Sequence, residues 1–303
     1  MAALSLHVAV PLRLLLVRHG LSSFNVERRI QGRDDLSTLT ASGQEQARLL
    51  GHALVDVPIQ AAYSSPLKRA ASTAAGILES RDDGLEPTFD DGLLEIDLEP
   101  WSGLTAAERS ERFPDEFATW KQKPEALELI RKDGSRYRPY EELMKQARRF
   151  LDELVRRHPV NSDDTVMLVG HNAILRCLIV TLLGDPKQGF RRLRLDNASL
   201  SIFNLSPRDN GYQLQIECLN STAHIAPPLP AKGEGSRLIL VRHGETNWNR
   251  EGRFQGQIDI PLNSNGHAQA EAARVLLQDV SLQKAFSLSL IHISEPTRRS
   301  TIA

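Results

Sequence analysis

The pentapeptide Leu-Val-Arg-His-Gly occurs twice in this chain, at Leu16–Gly20 and at Leu240–Gly244. Each copy ends an apolar, β-branched run and opens a polar loop, so Arg and His fall at a strand's carboxyl end. In open α/β sheets that edge is where ligands bind. The match continues beyond the pentapeptide. Gly20–Asn25 reads G-L-S-S-F-N and Gly244–Asn249 reads G-E-T-N-W-N; then Arg29-Ile-Gln-Gly is matched by Arg253-Phe-Gln-Gly. A loop written twice in this way constrains the chain more than any bulk property does.

Composition narrows the class. The 303 residues allow two ordinary domains or one with long additions, and 41% hydrophobic with 25% charged residues is usual for a soluble globular protein. A net charge of -1 gives no argument for nucleic acid or an anionic membrane as partner. Cys177 and Cys218 lie in apolar surroundings and read as buried small residues, neither a disulfide framework nor a metal cluster. The first residues contain His7 and Arg13 and run into a strand. No signal peptide or membrane span is expected, and cytoplasm is the default location.

Residues 1–220 read as one α/β domain. Leu12–Val17, Ile59–Ser64 and Thr165–Val169 are expected strands, and Leu200–Leu205 with Tyr212–Leu219 a hairpin around Asn210-Gly211. Ser42 with Glu45 matches a capping box, and Ser65-Pro66 matches the start of a helix reaching Leu78. Ala106–Lys121 is expected to be helical with a break at Pro114. Pro139–Arg157 is a long amphipathic helix, and Ala173–Leu183 an apolar one stopped at Gly184. Residues 221–236 are rich in Pro, Ala and Gly and read as a linker. Residues 237–287 repeat the start of the domain, with Arg237–Val241 as strand and Asn263–Leu277 as helix. Nothing after Phe286-Ser287 matches Pro66-Leu-Lys-Arg69. Residues 288–303 resemble the translation of a transposon-type sequencing adapter and are expected to be a non-native tail.

The first domain holds the parts that phosphoryl transfer needs, which are mostly positioning and charge stabilisation. Arg18 and Arg69 each follow a strand, and guanidinium forks match phosphate oxygens. Arg69 also lies in the first turn of its helix, where free N–H groups favour an anion. His19 and His171 end buried strands beside glycines, which suits one nucleophile and one hydrogen-bond donor at the same edge. Taken singly, each of these is more often structural; their combination at matching strand ends is what carries weight.

Arg18-His-Gly20 with Asn25, Ser64-Ser-Pro-Leu-Lys-Arg69-Ala, Glu95 before Trp101-Ser-Gly103, and Val169-Gly-His171 resemble the histidine phosphatase superfamily, the phosphoglycerate-mutase-like branch. The resemblance covers residues 12–220, and in incomplete form 237–287. It implies a three-layer α/β/α sandwich with a mainly parallel sheet, plus an incomplete second copy. It also implies His19 as the nucleophile that becomes phosphohistidine, with Arg18, Arg69 and His171 completing the phosphate pocket. Asn25 would be a further phosphate or substrate contact, and Glu95 the acid that protonates the leaving oxygen. The bland reading of Glu95 is a solvated loop acid beside Asp97 and Glu99. No metal or cofactor is implied. Leu21 and Asn172 depart from the family's frequent Glu and Gly and are expected to alter only the pocket rim.

Family mutases follow the acid with basic residues, whereas Glu95 is followed by Ile96-Asp-Leu-Glu99. This acidic, apolar stretch is expected to repel a second anion. A metal-independent phosphatase acting on a small phosphorylated metabolite is therefore expected. The alternatives are a 2,3-bisphosphoglycerate-dependent phosphoglycerate mutase and a phospho-ligand-binding module without turnover. Arg131, Lys132, Arg136 and Arg138 could reach over the site or form a solvated loop. The second copy keeps Arg242, His243 and Asn249 but has no counterpart of Arg69, Glu95 or His171, so it is expected to be inactive with its apolar faces uncovered. Oligomeric state stays open.

Overall fold

In the computed structural model, residues 11–81, 83–185, 189–209, 211–229 and 231–287 are described. Three expectations fall outside them: the opening residues, Asn210 of the hairpin turn, and the 288–303 tail. The chain divides into two compact units, Met1–Pro230 and Ala231–Ala303.

The first unit is built on β1 (Leu12–Arg18), whose continuous apolar run is explained by burial on both faces. Leu12, Leu14 and Leu16 pack into one core, whereas Leu15 and Val17 pack into another, as the period of two requires. In chain order there follow α1 (Ser23–Val26), α2 (Ala41–Ala53), β2 (Ala61–Ser64), α3 (Lys68–Leu78) and β3 (Thr88–Phe89). Next come α4 (Ala106–Arg112), α5 (Pro114–Gln122), the two-residue strands β4 (Leu129–Ile130) and β5 (Arg136–Tyr137), and α6 (Pro139–Arg157). The unit closes with β6 (Thr165–Gly170), α7 (Asn172–Leu182), α8 (Gly189–Arg192), β7 (Leu200–Arg208) and β8 (Gly211–Ser221).

The sheet order is β3-β2-β6-β1-β7-β8. The first four strands are mutually parallel, and β7 and β8 add an antiparallel edge. Ala47 and Leu50 of α2 and Ala70, Ala74 and Ile77 of α3 pack with Leu15 and Val17. On the other face, Leu143, Ala147 and Phe150 of α6 and Leu175 and Leu178 of α7 pack with Leu14 and Leu16. The expected three-layer α/β/α sandwich is the observed one. It brings the carboxyl ends of β1, β2 and β6 side by side, with Arg18 opposite Gly170 and Ser64 opposite Val169.

Local details differ from expectation. Thr40, not Ser42, caps α2, accepting from the Gly43 N–H at 3.0 Å, while Glu45 pairs with Arg48. Ser65 does not cap α3. Its N–H still bonds Val169 O in the sheet, so the helix starts only at Lys68. Cys218 is half-buried where full burial was expected.

In the second unit α9 (Asn247–Arg250) and α10 (Ser264–Leu277) form, the latter capped by Asn263. Arg237–Val241, expected as a strand, forms none. A strand needs a neighbour for its N–H and C=O groups, and among the described residues this unit supplies only the isolated Thr246–Leu262 bridge. Among all described residues, no helix is long and apolar enough to cross a membrane.

Candidate active site

The end of β1 delivers Arg18 and His19 into a cavity of about 180 Å³, smaller than the roughly 300–1,000 Å³ typical of drug-sized ligands. Its wall is cationic in one part, with Arg18, Arg29, Arg69 and Arg176 around the single carboxylate of Glu95. It is apolar in another, through Ile96, Leu98, Trp120 and Phe190.

His19 is 2% exposed. Its Nδ1 lies 2.8 Å from the Gly20 carbonyl oxygen; an oxygen of this kind only accepts, so Nδ1 carries the proton and Nε2 keeps its lone pair. Burial first, then the charges of Arg18 and Arg69, hold the ring's pKa well below 6.5. Gly20 makes the fold of this loop possible: a Cβ there would meet Gly43 O at 2.5 Å. His171 follows β6, fully buried, its ring centroid 5.2 Å from that of His19. Burial, Arg69, His19 and Arg18 keep it neutral too. Its Nε2 lies 2.8 Å from the Ser65 hydroxyl.

Arg69 is 1% exposed, with Nη1 and Nη2 donating to the Asp34 and Gly32 carbonyls at 2.8 Å. Arg18 donates from Nη1 to Leu195 O at 2.7 Å, and burial lowers its pKa to about 10. Arg18 Nε, Arg69 Nε, Arg176 Nε and His171 Nδ1 are buried without a hydrogen-bond partner. Orphaned buried donors are costly; Arg18, Arg69 and Arg176 line the cavity, whereas His171 does not.

Glu95 is not a solvated acid. It is 9% exposed and sits at the start of α7, accepting from the N–H groups of Ile96, Ala173 and Ile174 at 2.9–3.1 Å. Oε1 takes all three, whereas Oε2 takes only that of Ala173. The acidic neighbours that seemed set to repel a second anion do not line the cavity: Asp97 pairs with Arg131, and Glu99 with Lys132. Arg136 and Arg138 pair with Glu128, so the basic stretch is a self-neutralised surface loop. The wall next to Glu95 is apolar, formed by Ile96 and Leu98.

Asn25 is not brought into the cavity wall. Its Oδ1 accepts from the Ser22 N–H and hydroxyl and from Asn197. Asn197 was missed from sequence, because only folding carries it to β1, where its amide also donates to the His19 and Gly20 carbonyls. Arg29 and Gln31 were missed although both lie in the repeated stretch. Arg176 carried no signal beyond being a cation in an apolar helix. In the second unit Arg242 and His243 are exposed, and Asn249 accepts from Thr246. Among the described residues no group of three His, Cys, Asp or Glu side chains is placed to hold a metal ion.

The family model of the histidine phosphatase superfamily (branch 1) matches residues 14–217 and 238–291. The second match ends four residues inside the stretch that resembles an adapter. Over 277 residues the chain is 33% identical to 2-carboxy-D-arabinitol-1-phosphatase of Triticum aestivum, covering 89% of this chain and 53% of that protein. The chain thus spans about half the length of that relative. Over 213 residues it is 33% identical to phosphoserine phosphatase 1 of Hydrogenobacter thermophilus, covering 70% of this chain and 94% of that one. Among solved structures, a mycobacterial glucosyl-3-phosphoglycerate phosphatase superposes with a TM-score of 0.59 at 27% identity, over 69% of this chain and 98% of that one. The chain belongs to the histidine phosphatase superfamily, branch 1.

Proposed function

We propose that residues 1–220 form a metal-independent phosphomonoesterase that works through a phosphohistidine at His19 on a small phosphorylated metabolite. The observation that carries this reading is the state of His19: buried, uncharged, its proton fixed on Nδ1, and set among guanidiniums and an imidazole with unpartnered N–H groups. Nε2 attacks phosphorus in line as the ester P–O bond breaks. Arg18, Arg69 and His171 Nδ1–H take the charge on the equatorial oxygens. Ser65 donates to His171 Nε2, which keeps that proton on Nδ1. The Glu95 carboxyl, protonated on its less occupied Oε2, gives its proton to the leaving oxygen. The carboxylate then takes a proton from the water that attacks phosphohistidine, releasing phosphate and restoring His19. The phosphatase names of the relatives above support hydrolysis over mutase chemistry.

We also propose residues 221–236 as a linker and residues 237–287 as a second, incomplete copy of the domain, with Arg242, His243 and Asn249 vestigial. Residues 288–303 are proposed as a non-native, adapter-like tail, although the family match runs to residue 291.

The test is phosphate release by the full chain from a panel of phosphomonoesters, with and without EDTA, alongside His19→Ala. Release that survives the chelator, together with an acid-labile phosphoenzyme absent from the variant, is expected. Release that needs a metal, or that persists in His19→Ala, would overturn the reading.

A further inference from the structure

The turn of residues 195–199, just before β7, takes no part in the proposed chemistry, and none of its residues lines the cavity. It nevertheless bonds every residue of Arg18-His-Gly20. The Leu195 carbonyl accepts from Arg18 Nη1 at 2.7 Å, and the Ser199 carbonyl from the Arg18 N–H at 3.2 Å. The Ala198 N–H donates to His19 O at 3.2 Å. The Asn197 amide nitrogen lies 3.1 Å from His19 O, 3.2 Å from Gly20 O and 3.0 Å from Asn25 Oδ1. Two of these oxygens are backbone carbonyls, which only accept, so the nitrogen end of the amide must face them, and its two protons serve three acceptors.

The turn is held in an unfavourable shape. Ala198 has a left-handed φ of 54°, which a residue with a side chain adopts only when its surroundings impose it. Asn220, also at 54°, accepts from the Asp196 N–H at 2.7 Å and donates to the Asp196 carboxylate at 2.8 Å. What this shape achieves is visible at Gly20 O, the oxygen that takes the proton of His19 Nδ1 at 2.8 Å. The peptide carrying that oxygen is gripped at both ends: Gln46 accepts from the Leu21 N–H at 2.9 Å, and Asn197 donates to Gly20 O. The His19 ring hangs from this carbonyl, so a carbonyl free to tilt would swing Nε2 off line. The second loop supplies the control. His243 makes the same bond to Gly244 O, and Gln269 holds the Glu245 N–H, yet among the described residues nothing else donates to His243 O or Gly244 O. The tautomer therefore needs no Asn197. What Asn197 adds is a fixed place for the carbonyl relative to β1 and α1.

We propose that Asn197 is a positioning residue: by donating to the His19 and Gly20 carbonyls, with Asn25 Oδ1 as its anchor on α1, it fixes the loop so that Nε2 of His19 points along the line of attack. This rests on the reading of His19 as the nucleophile.

The test compares Asn197→Ala and the isosteric Asn197→Asp with the wild type, all as the full chain, on the phosphomonoester that the wild type hydrolyses fastest. At neutral pH both variants are expected to lose about 10- to 100-fold in kcat and in the rate of phosphoenzyme formation, the scale of a misplacement of up to about 1 Å. KM and the affinity for orthophosphate stay within a few-fold. As pH falls, the introduced carboxyl takes up a proton and becomes a donor, so Asn197→Asp regains rate relative to the wild type and Asn197→Ala does not. A side chain that merely fills space predicts the opposite, an Asn197→Asp near wild type at neutral pH. That result, an Asn197→Ala within a few-fold in kcat, or a loss carried by KM overturns the proposal. Should Asn197→Asp not fold, kcat and KM of Asn197→Ala decide. Should the wild type release no phosphate, the hydrolytic reading fails by itself. Heteronuclear imidazole spectra, with His19 assigned through His19→Gln, then decide the positioning: one sharp set of ring signals that broadens or doubles in Asn197→Ala upholds it, and an unchanged set sinks it.

Discussion

The two Arg-His-Gly loops are nearly the same object in very different surroundings. In both, the histidine Nδ1 donates to the next carbonyl, at 2.8 Å in His19 and 2.7 Å in His243. In both, the residue after Gly has its N–H held by a glutamine, Gln46 or Gln269, and an asparagine oxygen receives the cap residue's N–H. Gly20 lies against Gly43 as Gly244 lies against Gly266. Yet Leu14 and Leu16 are 0% and 2% exposed, whereas their counterparts Leu238 and Leu240 are 83% and 84% exposed. The loop and its tautomer are local properties. Burial, the neighbouring guanidiniums and the second imidazole come from β2, β6, α3 and α7, which the second unit's described residues do not repeat.

Substitution at the two histidines should separate the loops most sharply. His19→Ala is expected to lower kcat by about 10⁴-fold or more, as loss of a nucleophile does, while His243→Ala leaves turnover where it was. Equal losses, read by initial rates, would mean that both loops react. Arg69 is the next largest effect, because the second unit has nothing in its place. Arg69→Met should cost about 10²- to 10³-fold in kcat, the scale of one transition-state donor. Loosening of the Gly32–Asp34 loop should accompany it, visible as faster amide exchange there. A variant within a few-fold of wild type would remove Arg69 from the phosphate pocket.

The glycine contacts give a smaller contrast. Gly20→Ala forces a Cβ against Gly43 O and should destabilise the first unit by about 1–3 kcal/mol, whereas Gly244→Ala leaves the main thermal transition unmoved. Calorimetry showing no change for Gly20→Ala would argue that the loop yields freely. A further expected effect is that of pH. Both His19 and His171 have folded-state pKa values pushed well below 6.5 by burial and by the arginines. Below that value the unfolded chain binds protons that the folded one refuses. The stability is therefore full above about pH 6.5 and declines as pH falls toward the folded pKa values, by up to about 1.4 kcal/mol per pH unit for each ring. Urea midpoints between pH 7 and 5 should show this slope, reduced in His19→Gln. A slope that the variant leaves intact would assign it elsewhere.

Much of the site was legible because phosphate chemistry uses short words at strand ends. Arg18-His-Gly20, Arg69 after β2 and His171 after β6 all stand at the expected edge. Other contacts were not legible because a residue's partner lies far along the chain. Asn25 is held by Asn197, and Asp97 is turned to Arg131. Ser65, placed by pattern at a helix cap, meets His171 over a separation of 106 residues. Arg237–Val241 has the composition of a strand, but composition cannot supply the neighbour that a strand must pair with.

What the amino-acid order determines unaided is local. The alternation in β1 sends its leucines to two faces, the small glycines let loop and helix touch, and His19 finds its own next carbonyl. What only the tertiary structure decides is the chemistry those parts can support. A histidine is kept neutral with its Nε2 lone pair free when the medium around it excludes water and arginines crowd it. Glu95 is held with one oxygen less occupied when α7 brings the N–H groups of Ala173 and Ile174 to it, beside that of Ile96. Desolvation and long-range charge act through space rather than along the chain, and for that reason two nearly identical loops end as one buried, cation-lined cluster and one exposed turn.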